Sequence, residues 1–534
     1  MTRNCSFKEY ITNRFYNDIF DEVSKYIVRS EDIVRSQLKS YSIYQFEEPV
    51  LSKLEVRSIY VEDQPNMQIS FDIVVNAEIV DKDDADKIFH QWFKLGCFGD
   101  LNCDLDDFQI LSINIYHNKP DYQNRLSDKL PHDISRDDLD QVAMDFVARF
   151  YPEALKRPMP INPHLLADRM SLKIQERDIS KDCSVFGKIY FQDSEGEFYD
   201  TKRAEIIVEP VKAKTIFVDP RVYFMRNLGS VNNTIIHECV HWDKHRKAMK
   251  LESLFDSNAT KIACKVTGSV EGNKKEAIEW MEWQANKLAP RIQMPLSMFQ
   301  VKAQELIEKY QSELQKTELV DILEPVIDEL AHFFEVSRLS AKIRLVELGY
   351  DEAIGAFNFI DGVYVPTHSW EKGFLKNNQT FSVGVIDAGL QLLFHPKIKK
   401  NVESGALIFV ESHYCLNEPK YISHDVFGKL FLTPYARHHM DECCIVFEIS
   451  AKVKAGNQAL SLNLVLNRDK QSDIQFNISC PDENNVTVEE RADYIASHAQ
   501  DVMDLLANFP SNLGETLKAL MKWREISVEK LAED

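Results

Sequence analysis

Apolar residues near the start of the chain recur every fourth position, at Phe15, Ile19, Val23 and Ile27. This spacing lines one face of a helix and predicts helix over 6–38. The pattern then switches to runs rich in Val, Ile, Phe and Tyr at 54–61, 67–80 and 108–117. Charged turns separate these runs, which read as strands. Together they make a small α+β unit over 1–125. The polar stretch 117–133 holds Pro120 and Pro131 and reads as a linker.

Helical periodicity returns at 137–155. Strand-like runs follow at 172–176, 185–191 and 206–218, and helices then extend to 350, giving a second unit over 134–350. The third unit, 351–509, is strand-rich, with runs at 357–365, 380–385, 406–410, 444–449, 460–466 and 474–479. A helix over 488–509 closes it, stopped by Pro510. A last helical stretch fills 510–534. The expected architecture is α+β and multi-domain.

Composition narrows the function. The 534 residues are 44% hydrophobic and 28% charged, the balance of an ordinary folded protein. A formal net charge of −21 argues against a general nucleic-acid or membrane-surface binder. The N-terminus has no uninterrupted apolar run of signal-peptide length, and no stretch reaches the roughly 18 apolar residues of a spanning helix. The ten cysteines are scattered without a C-x-x-C pair, which speaks against a disulfide framework or a zinc ribbon. A cytoplasmic protein with reduced thiols is the expectation.

One motif carries chemistry. His237-Glu238-Cys239-Val240-His241 is an H-E-x-x-H sequence in a helical context. Side chains four apart on a helix share a face, so both imidazoles can grip one zinc ion. Glu238 is then placed to act as catalytic base. Asn232 or Asn233 is a candidate cap for this helix, and Ile235 and Ile236 give it a buried side. The run 205–220 supplies strands just before it. Such an edge strand can bind an extended peptide through main-chain hydrogen bonds.

A catalytic zinc normally has three protein ligands. An H-E-x-x-H-x-x-G-x-x-H set fails, because Lys244 and Lys247 stand at the required positions. His245 lies one turn beyond His241, and three successive turns spread over about 12 Å, too far for one ion. It reads as a solvent-facing or supporting histidine. A carboxylate from a second helix is the better option: 274–295 offers Glu276, Glu279 and Glu282. Asn286 stands one turn after Glu282 and could steady a ligand histidine.

The HECVH run followed by EWQANKLAPRIQMP resembles the ImmA/IrrE family of metallopeptidases. Their pattern is H-E-x-x-H, then E-x-x-A-N-x-[FL]-A-x-x-[IL]-x-M-P. Glu282, Ala285, Asn286, Leu288, Ala289, Ile292, Met294 and Pro295 match it. The run 333–350 resembles that family's closing segment. The resemblance covers 150–350. It implies a central gluzincin-like zinc-peptidase core flanked by two α/β units, with Zn2+ held by His237, His241 and Glu282. It also implies a regulatory endopeptidase whose protein substrate is a helix-turn-helix repressor. Two departures stand out. The gap from His241 to Glu282 is long, with an apparent insertion at 246–273, and Val240 occupies a position where many relatives have Gly.

Two further clusters read as ordinary structure. His438, His439, Cys443 and Cys444 lie close together, with His413 and Cys415 upstream. A second metal site is conceivable there, but adjacent residues in a regular element point apart and the spacing fits no zinc module, so these cysteines are expected to be core residues at the start of a strand. The stretch 510–534 resembles the first part of an Xre/Cro-type helix-turn-helix. Its reading helix would begin beyond Asp534, so specific DNA binding by these residues is not expected. The rivals to a peptidase are a non-catalytic zinc-binding sensor and a transcriptional regulator.

Overall fold

The computed structural model describes residues 6–29, 48–118 (except 85 and 87), 125–181, 185–221, 228–255, 261–265, 275–376, 379–454 and 457–464. The strand expected at 474–479 and the helices expected at 488–509 and 510–534 lie outside the described residues. Helix and sheet are mixed, as the α+β expectation required.

The chain divides into two compact units, 1–296 and 297–534. In the first of them one cluster of buried side chains runs from Phe7 to Ile292.

In the first unit, α1 (Phe7–Arg29) buries Phe7, Ile11, Phe15, Ile19, Val23 and Ile27. That is the fourfold stripe of the sequence, extended by two residues. The stripe lies on a five-stranded antiparallel sheet of β1 (Pro49–Asp63), β2 (Gln68–Asp81), β3 (Ile88–Asp100), β4 (Gln109–Ile115) and β5 (Arg125–Leu126), in the order β4-β3-β2-β1-β5. Strand β3 was not expected. Its alternation is regular, with Phe93, Leu95 and Cys97 buried, but His90, Gln91, Lys94 and two glycines dilute the apolar signal.

Helices α2 (Leu139–Phe150) and α3 (Pro163–Arg169) follow. Asn162 caps α3, its side chain accepting from the Leu165 amide. Then come β6 (Lys173–Glu176), β7 (Val185–Tyr190), the hairpin β8 (Ser194–Asp200) and β9 (Glu205–Val211), and β10 (Thr215–Val218). Helix α4 (Leu228–Phe255), strand β11 (Lys261–Lys265) and helix α5 (Lys275–Gln293) complete the unit. The second sheet has the order β11-β7-β10-β6.

Two expectations change here. The run 205–220 is not one edge: β9 pairs with β8 in a separate hairpin, and β10 lies inside the sheet between β7 and β6. The edge on the β7 side is β11, built from the apparent insertion 246–273, whose first part also extends α4. Asn232 and Asn233 do not cap α4, since the helix is already formed at Leu228.

The second unit opens with helices α6 (Leu296–Leu314), α7 (Leu323–Phe333) and α8 (Arg338–Glu347), packed through Phe299, Leu306, Leu330 and Phe334. Short strands follow: β12 (Phe359–Ile360) pairs with β13 (Val363–Tyr364), and β14 (Gln379–Thr380) pairs with Phe447 and Glu448. Helices α9 (Val385–Phe394) and α10 (Pro396–Glu403) precede the hairpins β15 (Leu407–Val410) with β16 (His413–Leu416) and β17 (Ile422–His424) with β18 (Leu430–Leu432). Short helices α11 (Pro434–His438) and α12 (Met440–Cys443) lead into β19 (Phe447–Lys454) and β20 (Asn457–Leu464). A second core cluster, from Phe381 to Phe447, holds this part together. Among the described residues no helix is long and apolar enough to cross a membrane.

Candidate metal centre

Helix α4 carries the H-E-x-x-H sequence, with Ile235, Ile236, Cys239 and Val240 buried beside it. Helix α5 packs on it through Met281, Ala285, Leu288, Ala289 and Ile292, the apolar positions at i, i+4, i+7, i+8 and i+11 of an amphipathic helix. This packing brings Glu282 onto the two histidines. His237 Nε2 and His241 Nε2 stand 2.9 Å apart. The Glu282 carboxylate lies 3.3 Å from His237 Nε2 and 3.4 Å from His241 Nε2. Three donor atoms around a tetrahedral ion at about 2.0–2.1 Å stand roughly 3.4 Å apart, so the three groups are close to a ligand arrangement.

The unpaired atoms fit a cation as well. Glu282 Oε1, both Glu238 carboxylate oxygens and His237 Nδ1 are buried and have no hydrogen-bond partner among the described residues. Buried carboxylate oxygens without partners are costly, and a metal ion offsets that cost. The side chains of Glu276 and Glu279 lie outside the description.

The electrostatics separate the two carboxylates. Burial, and then the charge of Glu282, push the Glu238 carboxyl well above its ordinary range. Burial also raises Glu282, but the His237 and His241 imidazoles beside it outweigh that effect and hold its carboxyl well below the usual carboxylate range. Burial lowers His241, opposed by Glu282, and lowers His245 strongly, which favours the neutral imidazole at both; for His241 that is the form a metal ligand takes. Strand β7 passes so close to Thr234 and Glu238 that a side chain at Gly187 would have to displace them. A Cβ at 187 would stand 2.6 Å from Thr234 Cγ2 and 2.8 Å from Glu238 Oε1.

His245 neither joins the ligand set nor faces solvent. It is fully buried, and its Nδ1 lies 2.8 Å from His241 Nδ1. Its Nε2 lies 2.9 Å from Gln284 Oε1, and Gln284 Nε2 donates to the His132 carbonyl at 2.7 Å. The tautomers of this chain follow from its far end. The amide donates to a carbonyl, so its oxygen accepts from His245 Nε2–H. His245 Nδ1 then accepts from His241 Nδ1–H, which leaves His241 Nε2 with a lone pair aimed at the ligand cluster. Asn286, expected to support a histidine, is exposed, and Gln284 takes that role. His132 Nδ1 lies 3.0 Å from the Lys244 carbonyl and its Nε2 lies 3.1 Å from Asp63. Lys247 of the same helix donates to Asp63 and to the carbonyls of Gln64 and Gln68. On the next face, Arg149 of α2 holds Asp243 through two bonds of 2.8 and 2.7 Å. Despite burial, these bonds lower the Asp243 carboxyl to about 2.

No family model matches this chain, and no curated protein matches it. Among solved structures, a Mycobacterium tuberculosis transcriptional regulator aligns over 60% of this chain and 74% of its own, at 12% identity and a TM-score of 0.24. A likeness that slight assigns neither fold nor function. The reading of the site rests on its own geometry.

Proposed function

We propose that this chain is a zinc-dependent endopeptidase with a gluzincin-like core, a hydrolase of the kind that the ImmA/IrrE resemblance implies. The observation that carries the reading is the convergence of His237, His241 and Glu282 beside a second, partnerless carboxylate, Glu238, in a buried site. A structural zinc site is usually closed by four protein ligands, whereas a three-ligand set leaves a position for chemistry.

His237 Nε2, His241 Nε2 and the Glu282 carboxylate would hold the Zn2+. When bound, the ion supplies Lewis-acid polarisation of the scissile carbonyl and acidifies the attacking water. Glu238, with its raised proton affinity, accepts the proton of that water and returns it to the leaving amine. Gly187 keeps the room that the Glu238 carboxylate needs. The relay from His241 through His245 and Gln284 orients the second ligand imidazole. The edge strand β11 offers main-chain groups to an extended polypeptide. By the resemblance, the substrate is a helix-turn-helix repressor and the proteolysis is regulatory.

A second reading, a zinc-binding regulator without hydrolysis, has one observation in its favour: His237, Glu238 and His241 are fully buried, and of the four side chains only Glu282 is part-exposed. Glu238→Gln separates the two. It should keep zinc, measured by mass spectrometry of the metal, and lose cleavage of quenched fluorogenic peptides and of a helix-turn-helix repressor. Undiminished cleavage by the variant would sink the assignment of Glu238. Absence of cleavage by the zinc-loaded parent protein would favour the regulator.

A further inference from the structure

The second unit contains a sulfur cluster that the peptidase chemistry does not use. Cys415 lies on β16, Cys443 ends α12, and Cys444 is the extended residue that follows. In a regular strand or helix, neighbouring side chains would diverge, as expected from the sequence. Here the backbone turns from helical to extended between 443 and 444, with Cys444 at φ −112° and ψ 153°. The two neighbouring thiols therefore fall on one side, their Sγ atoms 3.6 Å apart. Cys444 also forms a β-bridge with Cys415, which brings the third thiol across from the other strand.

All three sulfurs lie within 4.8 Å of one another, and all three residues are fully buried. Met440, also fully buried, adds a thioether, its Sδ 3.9 Å from Cys444 Sγ. The histidines of the same region face elsewhere. His413 bonds Ser382 at 2.8 Å, His438 faces Asp321 at 3.2 Å, and His439 stacks against Tyr435. The donor set is thus sulfur alone.

We propose that Cys415, Cys443 and Cys444, with Met440 beside them, form a binding site for a thiophilic monovalent metal ion, Cu(I). The geometry is close to what such a site requires. Sulfurs about 2.3 Å from a shared ion stand roughly 3.8–4.0 Å apart, so small side-chain rotations complete the set. The ligand set favours that ion: hard cations need oxygen, and structural zinc on thiolates is held by four Cys or His ligands, whereas among the described residues three thiols and a thioether converge here, a soft set that suits Cu(I). Each thiol that ligates as a thiolate releases its proton to solvent, and no electron is transferred. Burial pushes the Cys444 thiol well above its ordinary range, and a neutral thiol packs as a small apolar side chain. Because the cluster is enclosed by the core that contains Tyr414 and Phe447, the ion enters as this unit folds or breathes.

The test titrates the reduced full-length chain with Cu(I) under anaerobic conditions against a chromophoric chelator, alongside Cys415→Ala, Cys443→Ala and Cys444→Ala. One tightly held Cu(I) per chain is expected, with a thiolate-to-metal charge-transfer band in the near ultraviolet and an all-sulfur shell by X-ray absorption. Each alanine variant should weaken that site at least tenfold while circular dichroism shows the fold retained. Zinc competition separates the two centres: filling the histidine site with Zn2+ should leave the Cu(I) stoichiometry unchanged. No tight Cu(I), a shell containing nitrogen or oxygen, or copper binding unmoved in a folded Cys444→Ala variant overturns the proposal.

Discussion

Gln284 contacts no candidate ligand directly, yet removing it should cost the metal site dearly. In Gln284→Leu, two buried groups lose their partners: His245 Nε2–H, now 2.9 Å from the amide oxygen, and the His132 carbonyl, 2.7 Å from the amide nitrogen. At about 1–3 kcal/mol for each unsatisfied buried group, the folded chain loses on the order of 2–6 kcal/mol, partly offset by the apolar replacement. The tautomer relay fails in addition. Without an acceptor at Nε2, His245 has no reason to present a lone pair at Nδ1, and His241 Nδ1–H loses its fixed partner. Supporting residues of this kind are worth roughly 10–100-fold in metal affinity, or about 1.4–2.7 kcal/mol. Chelator competition on the folded protein reads the affinity, and chemical denaturation reads the stability. Gln284→Glu serves as the control, because it keeps an acceptor for His245 and loses only the donor to His132. It should retain more zinc affinity than the leucine variant. If Gln284→Leu binds zinc within twofold of the parent protein, the relay does not orient His241 and the argument fails.

Three further outcomes are expected. Glu282→Ala should remove most of the zinc, and full metal content in the folded variant would show that the third ligand lies elsewhere. Gly187→Ala should crowd the Glu238 carboxylate and lower peptide hydrolysis by roughly 100-fold, since displacements near 1 Å at a reacting group carry such costs. Its zinc content should not change, and unaltered kinetics would refute the close approach. Asp243→Asn should destabilise the protein by about 2 kcal/mol at neutral pH, from the drop of the folded-state carboxyl from 3.8 to about 2. Because the folded value is the lower one, that stability is fully present above about pH 4 and is lost as pH falls towards 2. Variant and parent should therefore be separated in denaturation curves at pH 7 and draw together at pH 2.5, and a gap undiminished at acid pH would count against the Arg149 pair as its source.

The sequence and the structure agree where one periodic face does one job. The stripe from Phe15 to Ile27 read as a helix because nothing competes with it, and α1 buries those very residues. His237, His241 and Glu282 were nameable as candidates because the motif fixes two of them and the resemblance points to the third. The relay escaped notice because it joins residues far apart in the chain. His132 and Gln284 are 152 positions apart, and neither carries a local signature. Gln284 was overlooked in favour of Asn286, one turn from Glu282, because the packing angle of α5 on α4 decides which amide faces inward, and helical spacing alone does not report it. Cys443 and Cys444 were expected to diverge, a rule that holds inside a regular element and fails at the junction between two.

The clamp on Lys247 bears on modularity. This lysine belongs to the helix that carries the candidate ligand histidines, yet the three oxygens that satisfy its ammonium come from the turn between the first two strands of the N-terminal sheet. His132 is tied to the same Asp63. A fragment beginning at 134, cut to match the span of the motif, would expose the ammonium's pocket and drop both anchors, and with them the last link of the chain leading to His241. The N-terminal sheet is therefore part of the smallest piece that could be excised with the candidate metal centre intact. Any transplant of this centre to another scaffold would have to bring that turn along.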